Sequence, residues 1–433
     1  MEKAIAAGVF LTTYGFIASE RFPRWVVSVA GGLILITSGL LSLEEAMAYV
    51  NWETVGLLFG MFLLIAMLAE GGFFTWLALT IAEKVHYRLA LIYLLFPLLS
   101  GFLAAFMDSI TVLLFFSTLS YHLARAFRVS PVPLVIAEVV AANIGGAGTL
   151  VGDPPNVILG TTLGFTFTDF ARHTGPAAAL SLLVAVGFLY LTQRGALRRA
   201  PQVSGEDLLK QGLRRQIDDP ELMALGLYGL AVAVFLLITH HWLSELTGLR
   251  ITSAAAALFP ALVVFAVAGR KAHHLLGKID LESLLFFVGL FVVVGGLERA
   301  GLIDLFARGL VKLAGPAPLA LVLLLLWAGA LLSSVIDNVP LALTMAYVLR
   351  DLSHLPGAPA LSIMVWALAL GVDMGGNMTP IGASANVVAY STLERFGVRI
   401  GWLRWLALAV PATVLALILS SVLLGLKLHF GLY

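Results

Sequence analysis

The sequence contains no cysteine, which removes disulfide bridges, thiolate metal centres and iron–sulfur clusters from consideration. It is also poor in charge: Asp, Glu, Lys and Arg make up 12% of its 433 residues, against roughly 25% in an average soluble domain. A net charge of +1 provides no basic face or tail for a nucleic-acid partner. No nucleophile motif or metal-ligating helix is present. The glycine-rich stretches lack the Lys-Ser/Thr that a phosphate-binding loop requires. The expectation is therefore a protein that is not an enzyme and carries no cofactor.

What fills the chain is apolar side chain, 60% of all residues. Runs such as Trp25 to Leu43, Leu222 to Thr239 and Leu403 to Leu426 approach or reach the ~20 residues that cross ~30 Å of hydrocarbon. The fold class is an all-α polytopic membrane protein. Met1 to Lys3 and the apolar Ala4 to Ala18 have the outline of a signal peptide. A second apolar run follows almost at once, so the stretch reads as a retained first helix. Apolar segments fall near 4–19, 24–42, 53–82, 89–121, 132–165 and 176–193, and again near 220–239, 251–269, 281–307, 317–349, 360–393 and 402–426. Between the two sets, residues 194–219 carry six basic and four acidic side chains and read as a solvated linker.

The two sets are copies. Residues 141–157 read AANIGGAGTLVGDPPNV and residues 371–387 read GVDMGGNMTPIGASANV. Asn143, Gly145, Gly146, Thr149, Gly152 and Asn156 fall opposite Asp373, Gly375, Gly376, Thr379, Gly382 and Asn386, each 230 positions on (373 − 143). Glu53, Gly60, Phe62, Gly72 and Asp108 match Glu282, Gly289, Phe291, Gly301 and Asp337 at an offset of 229 (337 − 108). Residues 1–193 and 220–433 thus read as two repeats. The segments 89–121 and 317–349, interrupted by Asp108-Ser109 and Asp337-Asn338, read as re-entrant hairpins. Each half then crosses five times, and an odd number inverts the second half. A cytoplasmic linker, with both termini external, puts 18 of the 26 Lys and Arg inside, Arg21 and Arg24 among them. The setting is the cell membrane, with the lipid bilayer as solvent.

Unpaired backbone at membrane depth costs several kcal/mol unless it is buried in protein or lines a wet cavity. Gly145-Gly146 and Gly375-Gly376 are read as points where a helix unwinds, with Pro154-Pro155 sharpening the first break. Half-helix N-termini suit an anion, whereas unwound carbonyls suit a cation. Asn143, Thr149, Asn156, Thr379, Ser384 and Asn386 add uncharged hydrogen-bonding groups, and Asn377 lies in the second motif. Asn143, Asn156, Asp373 and Asn386 are candidate sodium ligands. Asp108, Asp153, Asp337 and Asp373 are expected at membrane depth, where a central Asp costs ~2.5–3.5 kcal/mol and usually faces a cavity. With Ser109, Thr111 and Asn338 at the hairpin tips, they complete the candidate site. No Lys lies within these segments, and no intramembrane Arg is obvious beside the acids. Glu53 and Glu282 read as helix starts. His240-His241 and His273-His274 read as wet surface pairs, and Trp52, Trp76, Trp242, Trp402 and Trp405 as interfacial anchors.

At these motifs the chain resembles the ion transporter superfamily, in particular the group holding arsenite permeases, NhaD-type sodium/proton antiporters and the melanosomal P protein. ANIGGAGTLVGDPPNVILG (142–160) and GGNMTPIGASANVVA (375–389) look like that group's signatures, and SSVIDNVPLALTM (333–345) is similar to its hairpin motif. The first tip departs from the pattern, reading Asp108-Ser109-Ile110-Thr111 where the group commonly has Asp-Asn and a Thr pair; Pro380 departs in the second motif. The resemblance implies two inverted repeats, scaffold and transport domains drawn from both, elevator-type alternating access and a homodimer. The expected function is sodium- or proton-coupled secondary transport of a small anion or oxyanion. A sodium/proton antiporter is the close alternative. An intramembrane aspartyl protease, which needs two acids brought together but no duplicated Asn and Thr, is the alternative from another class.

Overall fold

The computed structural model describes residues 2–19, 21–201, 203, 217–315 and 317–433. Most of the expected linker, residues 202 and 204–216, lies outside the described residues. The first half forms α1 (Glu2–Ser19), α2 (Arg24–Thr37), α3 (Leu43–Tyr49), α4 (Trp52–Glu70), α5 (Phe73–Lys84), α6 (Leu89–Ala104), α7 (Ser109–Ala126), α8 (Val132–Gly146), α9 (Pro154–Leu163), α10 (Phe167–His173) and α11 (Gly175–Arg199). The second forms α12 (Pro220–Thr247), α13 (Ser253–Ala268), α14 (Leu281–Arg299), α15 (Leu302–Ala314), α16 (Pro318–Ser333), α17 (Asn338–Ser353), α18 (Leu361–Gly375), α19 (Ser384–Arg395) and α20 (Trp402–Phe430). The protein is all-helical, and its long apolar helices make it an integral membrane protein.

Local chemistry sets the boundaries, and sets them twice. Asn51 caps α4 by accepting from the Thr54 amide at 3.0 Å, and Asp280, 229 positions on, caps α14 by accepting from Ser283 at 3.0 Å. Gly72 and Gly301 take φ of +79° and +67°, a left-handed turn that ends α4 and α14 and starts α5 and α15. The expected single segments 53–82 and 281–307 are therefore each two helices.

Among the described residues seven helical stretches are long and apolar enough to span a membrane. The expectation of five crossings in each half takes the segments holding α2 and α8 as crossings and the one holding α6 as a re-entrant hairpin; none of these three helices has the length of a full span. They have 14, 16 and 15 residues. For α6 and α8 the cause is local: α6 stops at the first hairpin tip and α8 at the first break.

Packing interlocks the halves. Within each half the hairpin's first arm lies along the buried half-helix, α6 on α8 and α16 on α18. Between halves, α2 packs on α14 and α13 on α4, while the hairpin's second arm crosses over, α7 against α19 and α17 against α9. Every residue of α8 is buried, as is most of α18, so these two form the axis of the molecule. Large apolar side chains such as Phe235, Phe259 and Leu403 stay exposed around the outside, where lipid tails replace water.

The glycine pairs act differently from expectation. Gly145 and Gly146 remain helical, and Gly375 ends α18; the breaks are the segments that follow, to residues 153 and 383. What the glycines supply is closeness. A Cβ on Gly145 would stand 2.0 Å from the Gly101 carbonyl oxygen, and one on Gly375 would stand 2.2 Å from Ala330 Cα. Gly152 and Gly382 bring each break back against its own helix end, where a Cβ would meet the Gly146 or the Gly376 oxygen at 2.4 Å. Backbone contact of this kind is how helices pack without a hydrophobic driving force. Gly145→Val is expected to lower the melting temperature sharply, because overpacking of a tight core costs about 1–3 kcal/mol or more. Gly187→Val on α11, where a Cβ meets nothing within 4 Å, should leave it unchanged. Thermal unfolding in detergent followed by size-exclusion chromatography reads the difference.

Candidate functional site

Four half-helix N-termini meet at one cavity of about 700 Å³, those of α7, α9, α17 and α19. Two come from hairpin tips and two from the segments after the breaks. Each would normally present unpaired amides and a positive dipole end. Three of the four have an aspartate at the cap: Asp108 on α7, Asp153 on α9 and Asp337 on α17. The protein thus places its own carboxylates where a bound anion would otherwise lie. The fourth cap is Ala383, which has no acceptor side chain.

The carboxylates are not equivalent. Asp108 Oδ2 accepts from the Thr111 amide at 2.9 Å and the Thr111 hydroxyl at 3.0 Å, and its Oδ1 is buried without a partner. Asp153 joins the two tips, accepting from Ser109 Oγ at 3.2 Å and from Asn338 Nδ2 at 3.3 Å. Asp337 accepts from the Val339 amide at 3.1 Å, Ser384 Oγ at 3.1 Å and Arg24 Nη1 at 2.6 Å. The same Arg24 nitrogen lies 2.6 Å from Ser384 Oγ. Arg24 corrects the view that no arginine stands beside these acids. It opens α2, close enough to a polar boundary to be read as a loop residue, yet its side chain reaches inward. Its counterpart 229 positions on is Ser253, so repetition carried no hint of it. Glu70, Asp218, Asp280 and Glu282 also line the cavity, as does Lys278. Lys278 and His274 both bond to Glu70, the latter at 3.0 Å.

Of the expected site residues, Asp108, Ser109, Thr111, Asp153, Asp337, Asn338 and Ser384 line this cavity. The rest form a buried layer beneath it. Thr149 Oγ1 bonds to the Ala105 carbonyl, and Thr379 Oγ1 to the Ser334 carbonyl at 2.5 Å, so each break is pinned to its hairpin tip. Asn156 Nδ2 donates to the Gly146 and Thr149 carbonyls, both at 3.1 Å. Asn386 Nδ2 donates to Gly376 and Thr379, both at 2.8 Å. These two asparagines satisfy carbonyls that the breaks set free.

The symmetry fails in this layer too. Asn143 Nδ2 donates to Asn386 Oδ1 at 2.9 Å and to Asn377 Oδ1 at 2.8 Å. In the other half the equivalent donor is absent, because Asp373 stands where Asn143 would. Asp373 is fully buried, lies against Asn156 and within the field of Asp153, and neither of its carboxylate oxygens has a hydrogen-bond partner. The Oδ1 atoms of Asn156 and Asn143 are also unpartnered. Buried oxygens facing no donor are a set that a proton or a dehydrated cation completes. No cluster of three or more His, Cys, Asp or Glu suited to a metal occurs among the described residues.

Other expectations change with the coordinates. Trp405 is not an interfacial anchor: it is fully buried, and its Nε1 donates to the Asn377 carbonyl at 3.0 Å, bracing the second break. Trp52, Trp242 and Trp402 are exposed as an anchor should be. His240 is buried rather than wet, with Nδ1 2.9 Å from the Leu237 carbonyl. Glu53 does more than open a helix, accepting from the Ser253 amide at 2.9 Å and so tying α4 to α13.

Comparison with known proteins agrees with this architecture. The family model described as "Citrate transporter" matches residues 14–371. The chain is 31% identical over 430 residues to the 46 kDa membrane protein of Mycobacterium leprae, covering 98% of this chain and 99% of that one. It is equally identical, at 31%, to an uncharacterized transporter of Mycobacterium tuberculosis over 98% of both chains. The human P protein is 28% identical over 96% of this chain, which spans 59% of that protein. Among solved structures, the Alcanivorax borkumensis YdaH transporter shares the fold, with a TM-score of 0.58 at 16% identity over 99% of this chain and 98% of that one. The chain belongs to the citrate transporter family of membrane secondary transporters.

Proposed function

We propose that the protein couples the movement of a small anion to that of a cation, and that the two bind at opposite poles of the site. The observation behind this is the asymmetry between the two breaks. At the first, Pro154 and Pro155 occupy the initial positions of α9 and remove two amide donors, while Asp153 adds a negative charge. With Asp373 in the layer below, this pole suits sodium or a proton. At the second, Ser384 and Ala385 keep their amides, Ala383 adds no charge, and the Arg24 guanidinium lies alongside. That pole suits a carboxylate or an oxyanion.

Transport then follows from the interlock. Residues 1–193 and 220–433 act as inverted repeats. The hairpins and broken helices of both, α6 to α9 and α16 to α19, form one body that carries the site across the membrane. Helices α1, α2, α4 and α12 to α14 form the frame, in an elevator-type cycle within a homodimer. The polar contacts from frame to body must break and re-form in such a cycle; they include Arg24 to Asp337, the Arg350–Glu298 ion pair, Tyr14 Oη to the Pro340 carbonyl at 2.7 Å, Thr54 Oγ1 to Thr161 Oγ1 at 2.6 Å and Asn51 Nδ2 to Thr161 Oγ1 at 3.3 Å.

A second reading, exchange of sodium for protons with no anion, is favoured by the charge of the cavity wall. Its carboxylates are Glu70, Asp108, Asp153, Asp218, Asp280, Glu282 and Asp337, against Arg24 and Lys278. Proteoliposomes with imposed sodium and proton gradients separate the two. Coupled transport requires that anion uptake follow the cation gradient; sodium entry that moves protons with no anion present supports exchange instead.

Asp373→Asn tests the cation pole. It restores the amide that symmetry lacks, so the variant is expected to melt at or above the wild-type temperature while cation-driven flux falls about tenfold or more. Unchanged coupling in a well-folded variant would remove Asp373 from the mechanism. Arg24→Gln tests the anion pole: anion uptake should weaken about tenfold through KM, with cation binding retained. A loss confined to cation binding would reverse the assignment of the poles.

A further inference from the structure

Glu138 lies apart from everything described so far. It sits mid-way along α8 and is fully buried. One carboxylate oxygen accepts from Ser120 Oγ on α7, and the other has no partner. Its counterpart 230 positions on is Leu368, so the second half does without it. An unpaired ionised carboxylate in such a place costs far more than a hydrogen bond to one serine returns. The group that sits comfortably there is the neutral acid.

A cavity lies one helical turn from it. A separate cavity of about 130 Å³ opens beside the N-terminal end of α8, lined by Tyr93, Ser130, Pro133, Leu134, Gln193 and Arg404 among others. Tyr93 on α6 donates to the Pro133 carbonyl at 3.0 Å and lies close enough for the charge on Glu138 to act on its hydroxyl. Leu134 is one helical turn before Glu138, on the same face of α8. Ser100 on α6 donates to the backbone carbonyl of Glu138 at 3.2 Å, so this residue is held at its main chain by one hairpin arm and at its acid by the other. Among the described residues of α6 and α7, the groups facing Glu138 are Tyr93, Ser100 and Ser120; from α11, α18, α19 and α20, which also pack on α8, no charged side chain acts on it.

We infer that Glu138 is a proton-binding site in its own right, loaded through the cavity that ends on Tyr93 and independent of the aspartates of the central site. In the loading step a Glu138 carboxylate oxygen forms an O–H bond with a proton from hydronium in the cavity, whose own O–H bond breaks to leave neutral water, and no other bond in the protein changes. Glu138 is five residues from Asn143, about 7.5 Å along α8, and α8 carries both. A proton bound here therefore moves with the central site whenever the helix moves.

Infrared difference spectroscopy of the purified full chain tests this without any transport, and so without dependence on the function proposed above. Between about pH 5 and about pH 10, the wild type should show a protonated carboxylic-acid band that titrates and is missing in Glu138→Gln, a variant that keeps the size of the side chain and a partner for Ser120. Tyr93→Phe should leave the band in place but slow its appearance after a pH jump by about tenfold. In proteoliposomes, Glu138→Gln should abolish the dependence of flux on a proton gradient and spare binding at the central site, whereas Asp373→Asn should leave the Glu138 band intact. A band that never titrates, or one that persists in Glu138→Gln, overturns the inference. Failure of flux in Asp373→Asn alone bears on the central site and not on Glu138.

Discussion

Backbone that leaves the helix inside a membrane must find hydrogen-bond partners within the protein, and the whole centre of this molecule is arranged around that requirement. Two asparagines meet it. Asn156 and Asn386 each turn an amide back onto two carbonyls released where α8 and α18 end. Thr149 and Thr379 then fasten the same segments to the hairpin tips. Once the breaks are secured, four helix N-termini can face one cavity at a depth where water is otherwise absent.

From that shared frame the halves diverge in charge rather than in shape. Asp373 replaces Asn143 in the layer under the cavity, and Asp153-Pro154-Pro155 replaces Ala383-Ser384-Ala385 at its wall. Each replacement alters what the site attracts while leaving the fold almost untouched, since both members of each pair hold similar positions at the ends of matching helices. In the function proposed above, a repeated fold binds two unlike ions without building a second site from nothing.

Much of this was legible in the residues alone, because duplication prints its own evidence. The constant offset exposed the paired motifs, the hairpins and the fold class, and the signatures pointed to the family. Residues without a counterpart were harder to see. Arg24 pairs with a serine and Glu138 with a leucine, so neither repeats, and a helix-opening arginine looks like any other membrane-boundary cation. Trp405 was misjudged for a similar reason: its place near a segment end said nothing about the direction of its side chain. The glycines erred in the opposite sense. Their repetition was plain, but whether they loosen a helix or let two helices touch depends on what lies across from them, and Gly101 and Ala330 are distant in the sequence.

The crossing of the hairpin arms has a consequence for how the chain is made. The second arm of the first hairpin, α7, packs most extensively on α19 of the other half, and α9 on α17. When the ribosome has finished residue 193, the first half already contains a proline-broken helix and a polar tip, covered by α4, α5, α6 and α8 but not by the second half. The faces that α17 and α19 cover lack those partners until roughly two hundred further residues have entered the membrane, so the insertion machinery or the lipid must shelter them meanwhile. Because α7 packs on α19 and α9 on α17, neither half covers its own hairpin tip and break completely without the other.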